Sequence, residues 1–204
     1  AIEKRVENTD REIAVLISGG LDSSGVAAFV CNYVRDKYPD IKIKSFSIGM
    51  DEHAEDLLYA KVVADHLGTI HNSIVLTEED FFDAIPHTIK SIESYDTTTV
   101  RASVGNLLVA EHIRKHTNAK VVFNGDGADE VAGGYLYFHK APDSVAFDKE
   151  CKRLLKDICL YDVLRSDRTI ASVGLEARTP FLDKNFVRTY MSLPLDIRNH
   201  NIKG

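Results

Sequence analysis

Cysteine is scarce in this chain, and its scarcity narrows the field. Cys31, Cys151 and Cys159 are odd in number and follow no metal-binding spacing, so neither a disulfide framework nor a zinc site is expected. Unpaired thiols, buried or half-buried, fit a reducing compartment, and the cytoplasm is the expected location. No apolar run approaches the roughly 20 residues that cross a bilayer. Residues 1–12 (AIEKRVENTDRE) are too charged to read as a secretory leader. Basic clusters are missing as well. With a net charge of −6 and no lysine- or arginine-rich block, the chain lacks the footprint of a nucleic-acid binder. It has no internal repeat and no low-complexity tract. What remains, 44% hydrophobic and 27% charged over 204 residues, is the composition of a soluble globular protein with room for one domain of ordinary size.

Against that background the stretch VLISGGLDSSGVAAF, Val15 to Phe29, stands out. Ile13 to Ile17 is a continuous apolar run, as in a parallel strand buried on both faces. Gly19 and Gly20 free the backbone, and a helical pattern starts at Leu21 or Asp22. Strand, glycine turn and helix N-terminus together make an anion site, because the first helical N–H groups point outward unpaired. Ser18, Ser23 and Ser24 add hydroxyls. The lysine of the common nucleoside-triphosphate loop is absent, and Asp22 stands in the loop instead. A carboxylate beside phosphate calls for a cation, and Mg2+ suits both. The plainer alternative is an ordinary strand-to-helix turn with Asp22 as a helix cap.

Further strands are predicted at 41–48 (IKIKSFSI), 70–76 (IHNSIVL) and 120–124 (KVVFN). Helices are predicted at 55–67, closed by Gly68, after a cap at Thr77, and at 103–116, with a mostly helical chain from about residue 129. Alternating strands and helices predict an α/β fold, a parallel twisted sheet with helices on both faces. Its ligand crevice lies beyond the carboxyl ends of the strands. Residues 1–12 read as the last turns of a helix entering the first strand, and 195–204 as lacking a closing element. A piece of a longer polypeptide is therefore expected.

Three more stretches carry candidate chemistry. In VVFNGDGADEVAGGYLYFHKAP, Val121 to Pro142, the acids Asp126, Asp129 and Glu130 follow a strand among glycines. Asp22 and Asp129 together could hold Mg2+ against phosphates; the alternative is a solvated acidic turn with Asp129 as a cap. In ESYDTTTVRASVGNLL, three consecutive threonines make a poor helix start unless their hydroxyls are used, and Arg101 offers a fork for phosphate or carboxylate. The alternative there is a surface loop with an unpaired arginine. SVGLEARTPFLDKNFV, from Ser172, reads as a loop and then a helix from about Asp183.

The string SGGLDSS resembles the pyrophosphate loop of the N-type ATP pyrophosphatases. Together LISGGLDSS, SFSIGM, ESYDTTTVRAS, GDGADEVAGGYLYFHKAP and GLEARTPFLDK resemble, in order, the synthetase domain of the asparagine synthetase family. The resemblance runs from about residue 13 to residue 194 and implies an adenine nucleotide alpha-hydrolase-like, Rossmann-like fold over residues 1–204. It implies that ATP adenylates aspartate and that ammonia, drawn from glutamine in the intact enzyme, completes the amide. It places Ser18, Gly19, Gly20, Asp22, Ser23 and Ser24 on pyrophosphate. Leu16, Ile48, Asn124 and Gly125 fall beside the nucleotide, and Asp22 and Asp129 fall at Mg2+. Thr98 and Arg101 match positions of the aspartyl-AMP step, and Asp126 matches a catalytic acid that the family commonly has as glutamate.

The departures are as informative as the matches. Residue 1 is alanine, where the family's glutaminase domain begins with a nucleophilic cysteine, so that domain is expected only in the intact protein. Lys203 does not match the family's C-terminal lysine. A homodimer is the expected assembly, with no nucleic acid or membrane as partner. A β-lactam synthetase-like cyclase and a non-catalytic module that kept the fold are the alternatives.

Overall fold

Five short segments build one parallel sheet. The computed structural model describes residues 1–200, so Lys203 lies outside the described residues. Helix α1 (Ile2–Val6) leads into β1 (Ile13–Leu16), α2 (Leu21–Lys37), β2 (Lys44–Gly49), α3 (Glu55–Leu67) and β3 (Ile70–Val75). Then come α4 (Glu78–Asp83), α5 (Ile85–Ile92), α6 (Thr97–His116), β4 (Val121–Phe123) and α7 (Ala128–Ala132). The chain continues with α8 (Ser144–Asp157), α9 (Asp162–Ser172), β5 (Glu176–Arg178), α10 (Lys184–Met191) and α11 (Leu195–Arg198). The strand order is β3-β2-β1-β4-β5 and every pairing is parallel.

Strand side chains alternate between faces, and the two cores follow that alternation. Val15, Val121 and Phe123 pack with Val26, Val30 and Val34 of α2 and with Ala60 and Ala64 of α3. Ala14, Phe46 and Val122 pack on the opposite face with Val109, Ala110 and Ile113 of α6 and Ile170 of α9. Helices thus cover both faces, which explains why β1 reads as an unbroken apolar run. After β1 the chain moves to β2 on one side, and β4 pairs on the other. The carboxyl ends of β1 and β4 therefore flank a switch point, where open α/β sheets bind ligands.

Local signals in the sequence are met closely in several places. Helix α3 spans the predicted residues and ends at Gly68. Thr77 caps α4 in a reciprocal box with Asp80. Elsewhere the structure differs. Strand β2 begins at Lys44 rather than residue 41. Helix α6 begins at Thr97, six residues before its predicted start at residue 103. Asp96 makes this possible, accepting from the Thr99 N–H and hydroxyl at 2.7 Å each. Strand β5 falls where a loop was expected. Glu176, Ala177 and Arg178 pair with Val121, Val122 and Phe123, and the buried Arg178 guanidinium donates to the Arg5 and Asn8 carbonyls. Nor are the last described residues, 195–200, without an element. Helix α11 docks through Arg198, which is buried and paired with Asp148 of α8.

Asp183 ties the first helix to α10. Its carboxylate accepts from the Asn185 and Phe186 N–H groups at 3.0 and 3.2 Å and from Arg5 Nη1 at 2.8 Å. The arginine, and then the N–H groups, hold its pKa down at about 2. A lowered carboxylate pKa adds stability above the unfolded value, roughly pH 4, that is lost as pH falls through the folded one. Asp183→Asn keeps a good helix cap and removes the charge. The variant is expected to be less stable than the parent at pH 7, with the gap closing between about pH 4 and pH 2. Urea melts across that range check it.

Candidate active site

Two loops meet at the switch point. The first leaves β1 through Ser18, Gly19 and Gly20. Gly19 turns at φ +82°, and a Cβ on it would lie 2.4 Å from Tyr59 Cβ, so the loop is folded hard against α3. Gly20 precedes α2 and supplies no side-chain cap, which leaves the first N–H groups of α2 free of side-chain partners. Asp22 sits in the first turn rather than at the cap position, and the cap alternative for it falls. Ser18 and Ser23 brace the turn. Ser18 N–H donates to Ser23 Oγ at 3.1 Å, and the two hydroxyl oxygens are 3.0 Å apart. Ser24 Oγ is shut off from solvent with no protein partner.

The second loop leaves β4 through Asn124 and Gly125. A Cβ on Gly125 would sit 2.9 Å from Ser23 N and 3.2 Å from Asp22 Cβ. Glycine at this position is what lets the two loops close on each other. Asn124 N–H donates to the Arg178 carbonyl at 3.2 Å, continuing the sheet. Its side-chain amide donates to Asp126 Oδ2 at 2.7 Å and to Ser166 Oγ of α9 at 3.2 Å. Asp126 is thereby held in one orientation. Burial is the largest influence on it and raises its pKa, with Ser166 and Arg165 opposing.

The acids crowd one another. The pKa of Asp22 is raised by burial and then by Glu130. That of Asp129 is raised by burial and then by Asp22 and Asp162. Helix α7 starts after Gly127 with no side-chain cap, so Asp129 is not a cap either. Glu130 is buried and accepts from the Tyr135 hydroxyl, which also lies 3.1 Å from Asp162 Oδ2. A desolvated cluster of like charges is what a divalent cation relieves. Among the described residues no three His, Cys, Asp or Glu side chains converge as a complete metal cage. Mg2+ does not require one, since it keeps waters and substrate phosphate oxygens beside one or two carboxylates. The pair Asp22 and Asp129 fits that ion.

The remaining predicted residues divide. Leu16, Ser18 and Ile48 line one cleft of about 140 Å³ between β1, β2 and α6, together with Asp56 and Asn106. Thr98 and Arg101 are both exposed on the first turns of α6. No hydrogen bond or ion pair among the described residues joins Arg101 to the acids. It borders a separate apolar groove of about 700 Å³ lined by Met50, Phe81, Phe82 and Tyr95. The hydroxyl that the helix start uses is Thr99's, not Thr98's.

Helix α9 contributes residues the sequence motifs do not mark. Asp162 and Ser166 face the acidic loop, and Arg165 donates to Asp162 Oδ1 at 2.9 Å and to the Ala102 carbonyl of α6 at 3.4 Å. The signal available in sequence is a polar stripe: Asp162, Ser166 and Thr169 recur at helical spacing, and the last two are fully buried.

Comparison with known proteins bears on all of this. The sequence profile of the asparagine synthase family matches residues 1–150 and 141–204. Human asparagine synthetase (glutamine-hydrolyzing) is 47% identical over 198 residues, which cover 97% of this chain and 35% of that protein. The mouse enzyme is 48% identical with the same coverage, and the chicken enzyme 47% identical over 201 residues, again 97% and 35%. The chain thus spans about a third of the length of the curated relatives it matches.

A carboxylate whose folded pKa is raised withdraws stability as pH rises through it, the reverse of the Asp183 case. Asp22→Asn removes such a charge. In the absence of divalent cations and nucleotide, the variant is expected to melt higher than the parent at pH 7. The difference should shrink as the medium is acidified toward the range where the parent carboxyl is protonated. Melting curves in chelator at pH 7 and pH 4.5 test this; an Asp22→Asn protein that melts lower at pH 7 speaks against the crowding.

Proposed function

The chain belongs to the asparagine synthase family, and from that premise we propose that it performs the synthetase chemistry of asparagine formation. ATP adenylates the side-chain carboxylate of aspartate and releases pyrophosphate. Ammonia then converts β-aspartyl-AMP to asparagine and AMP. The observation that carries the proposal is the closure of the Ser-Gly-Gly loop on the acidic loop at the switch point through Gly125.

Each residue has a part in the proposal. The open N-terminus of α2, with Ser18, Gly19, Gly20, Ser23 and Ser24, binds the pyrophosphate portion of ATP. The unpartnered Ser24 hydroxyl supports this, since a buried polar atom calls for a partner. Leu16, Ile48 and Gly125 border the adenosine, and Asn124 belongs to the ATP-binding set. Asp22 and Asp129 would hold Mg2+, which when bound neutralises the leaving pyrophosphate. Arg101 offsets charge gained by the phosphoryl oxygens, and Thr98 acts at the same adenylation step. Asp126 orients ammonia or takes a proton from it. Burial, the largest influence on its carboxyl, raises its pKa above the usual aspartate value.

The same reading makes residues 1–204 one ATP pyrophosphatase domain of a longer enzyme. A glutaminase domain supplies the ammonia, and the enzyme works in the cytoplasm as a homodimer. The unpaired, buried Cys31 and Cys151 accord with a reducing compartment. Identity to asparagine synthetases across nearly the whole chain favours neither the cyclase nor the non-catalytic alternative.

The test is a full-length protein supplied with aspartate, ATP and ammonium, assayed for asparagine, AMP and pyrophosphate in equal amounts. Absence of all three products ends the proposal. Within it, Asp126→Ala should slow asparagine formation by more than about tenfold, or roughly 1.4 kcal/mol of transition-state stabilisation, with the KM for ATP little changed. Asp126→Glu, the family's common residue, should keep or raise the rate. A normal rate with a lowered melting temperature in the alanine variant would show Asp126 to be only a turn residue.

A further inference from the structure

The segment after α7, Gly133-Gly134-Tyr135, has no part in the chemistry so far, yet it touches the acid cluster directly. Its two glycines are there for different reasons. Gly133 closes α7 at φ +70°, and a Cβ on it would lie 2.4 Å from Phe147 Cζ, so backbone and core both require it. Gly134 is exposed, outside the left-handed region and clear of the core. A Cβ on Gly134 would fall 2.1 Å from Asp129 Oδ1 and 3.2 Å from its Cγ.

The main chain of Asp129 cannot yield to such a contact. Its carbonyl accepts from the Gly133 and Gly134 N–H groups at 2.8 and 3.0 Å, fixing it within the helix terminus. The carboxylate alone is free to swing. We infer that Gly134 is a positioning residue for the nucleotide site: its missing side chain is the space in which the Asp129 carboxylate holds its orientation toward Asp22. The inference rests on the proposed role of Asp129 at Mg2+. It assigns Gly134 a function through another residue, with no contact of its own to substrate.

Gly134→Ala is therefore a substitution that moves a metal-directed carboxylate without deleting it. At an exposed position with permissive backbone, alanine itself leaves stability unchanged or slightly raised. The full-length protein is titrated with magnesium pyrophosphate by calorimetry, alongside thermal melts. Gly134→Ala is expected to bind about tenfold to a hundredfold more weakly, the scale on which an ångström of misplacement counts, while melting no lower than the parent. In an Asp129→Asn background the same alanine should add nothing, because the group it displaces has lost its charge. Gly133→Ala should instead lower the melting temperature. Unchanged affinity in Gly134→Ala, with Asp129→Asn weakened, overturns the positioning role alone. An equal loss from Gly134→Ala in both backgrounds overturns it too. Unchanged affinity in Asp129→Asn removes the metal role of Asp129, and this inference with it.

Discussion

The structure depends on how closely two loops approach. The main chain at Gly125 comes so near the start of α2 that even a methyl group would be excluded. That contact places a helix N-terminus, with its outward N–H groups, against a cluster of acids. It joins β1 to β4 beyond their last paired residues, Val15 and Phe123. The rest follows from it. The sheet must be parallel for both loops to emerge at one end, and parallel strands need helices on both faces to bury them. Through Asn124 the same loop is tied to Ser166, so α9 becomes part of the site's frame.

A second constraint works against the first. The approach gathers Asp22, Asp126, Asp129, Glu130 and Asp162 into one neighbourhood and removes water from the first four. Burial leads the causes of the raised pKa at Asp22, Asp126, Asp129 and Glu130, and neighbouring carboxylates add to it. A fold under selection for stability alone would disperse these charges. Their gathering is the expected mark of a site that is completed by what it binds. The surrounding polar groups are arranged accordingly: the Asn124 amide steadies Asp126, the Tyr135 hydroxyl lies between Glu130 and Asp162, and Arg165 links Asp162 to α6.

How much of this was legible in the sequence depends on how local each signal is. The turn after β1, the Thr77 cap and the end of α3 at Gly68 are written within a few residues, and each was read correctly. The early start of α6 turns on Asp96, whose capping role shows only once Thr99 is seen to use it. Strand β5 carries no alternation of its own. Glu176, Ala177 and Arg178 become a strand because β4 offers an edge and because Arg178 finds carbonyls more than 160 residues away in sequence. The acidic loop was legible as chemistry but not as geometry. Nothing near Asp126 in the sequence points to Ser166, and Arg101 borders a groove that neither loop lines.

The clasp between Arg5 and Asp183 has a meaning for the order in which the molecule is made. Its partners are 178 residues apart. At a synthesis rate of about 5–20 residues per second, the first waits on the order of ten seconds or longer for the second. Strand β1 waits as well, since its second neighbour begins only at Val121. For much of the synthesis of this stretch the nascent chain holds three of the five strands, with the open side of β1 uncovered and α1 resting on α2 alone among the elements it later touches. Completion comes from the last fifth of the described chain, when β5 seats Arg178 under α1 and α10 brings Asp183 to Arg5. The clasp of α1 to α10 is thus made late in the synthesis of this stretch, after the first three strands are already in place.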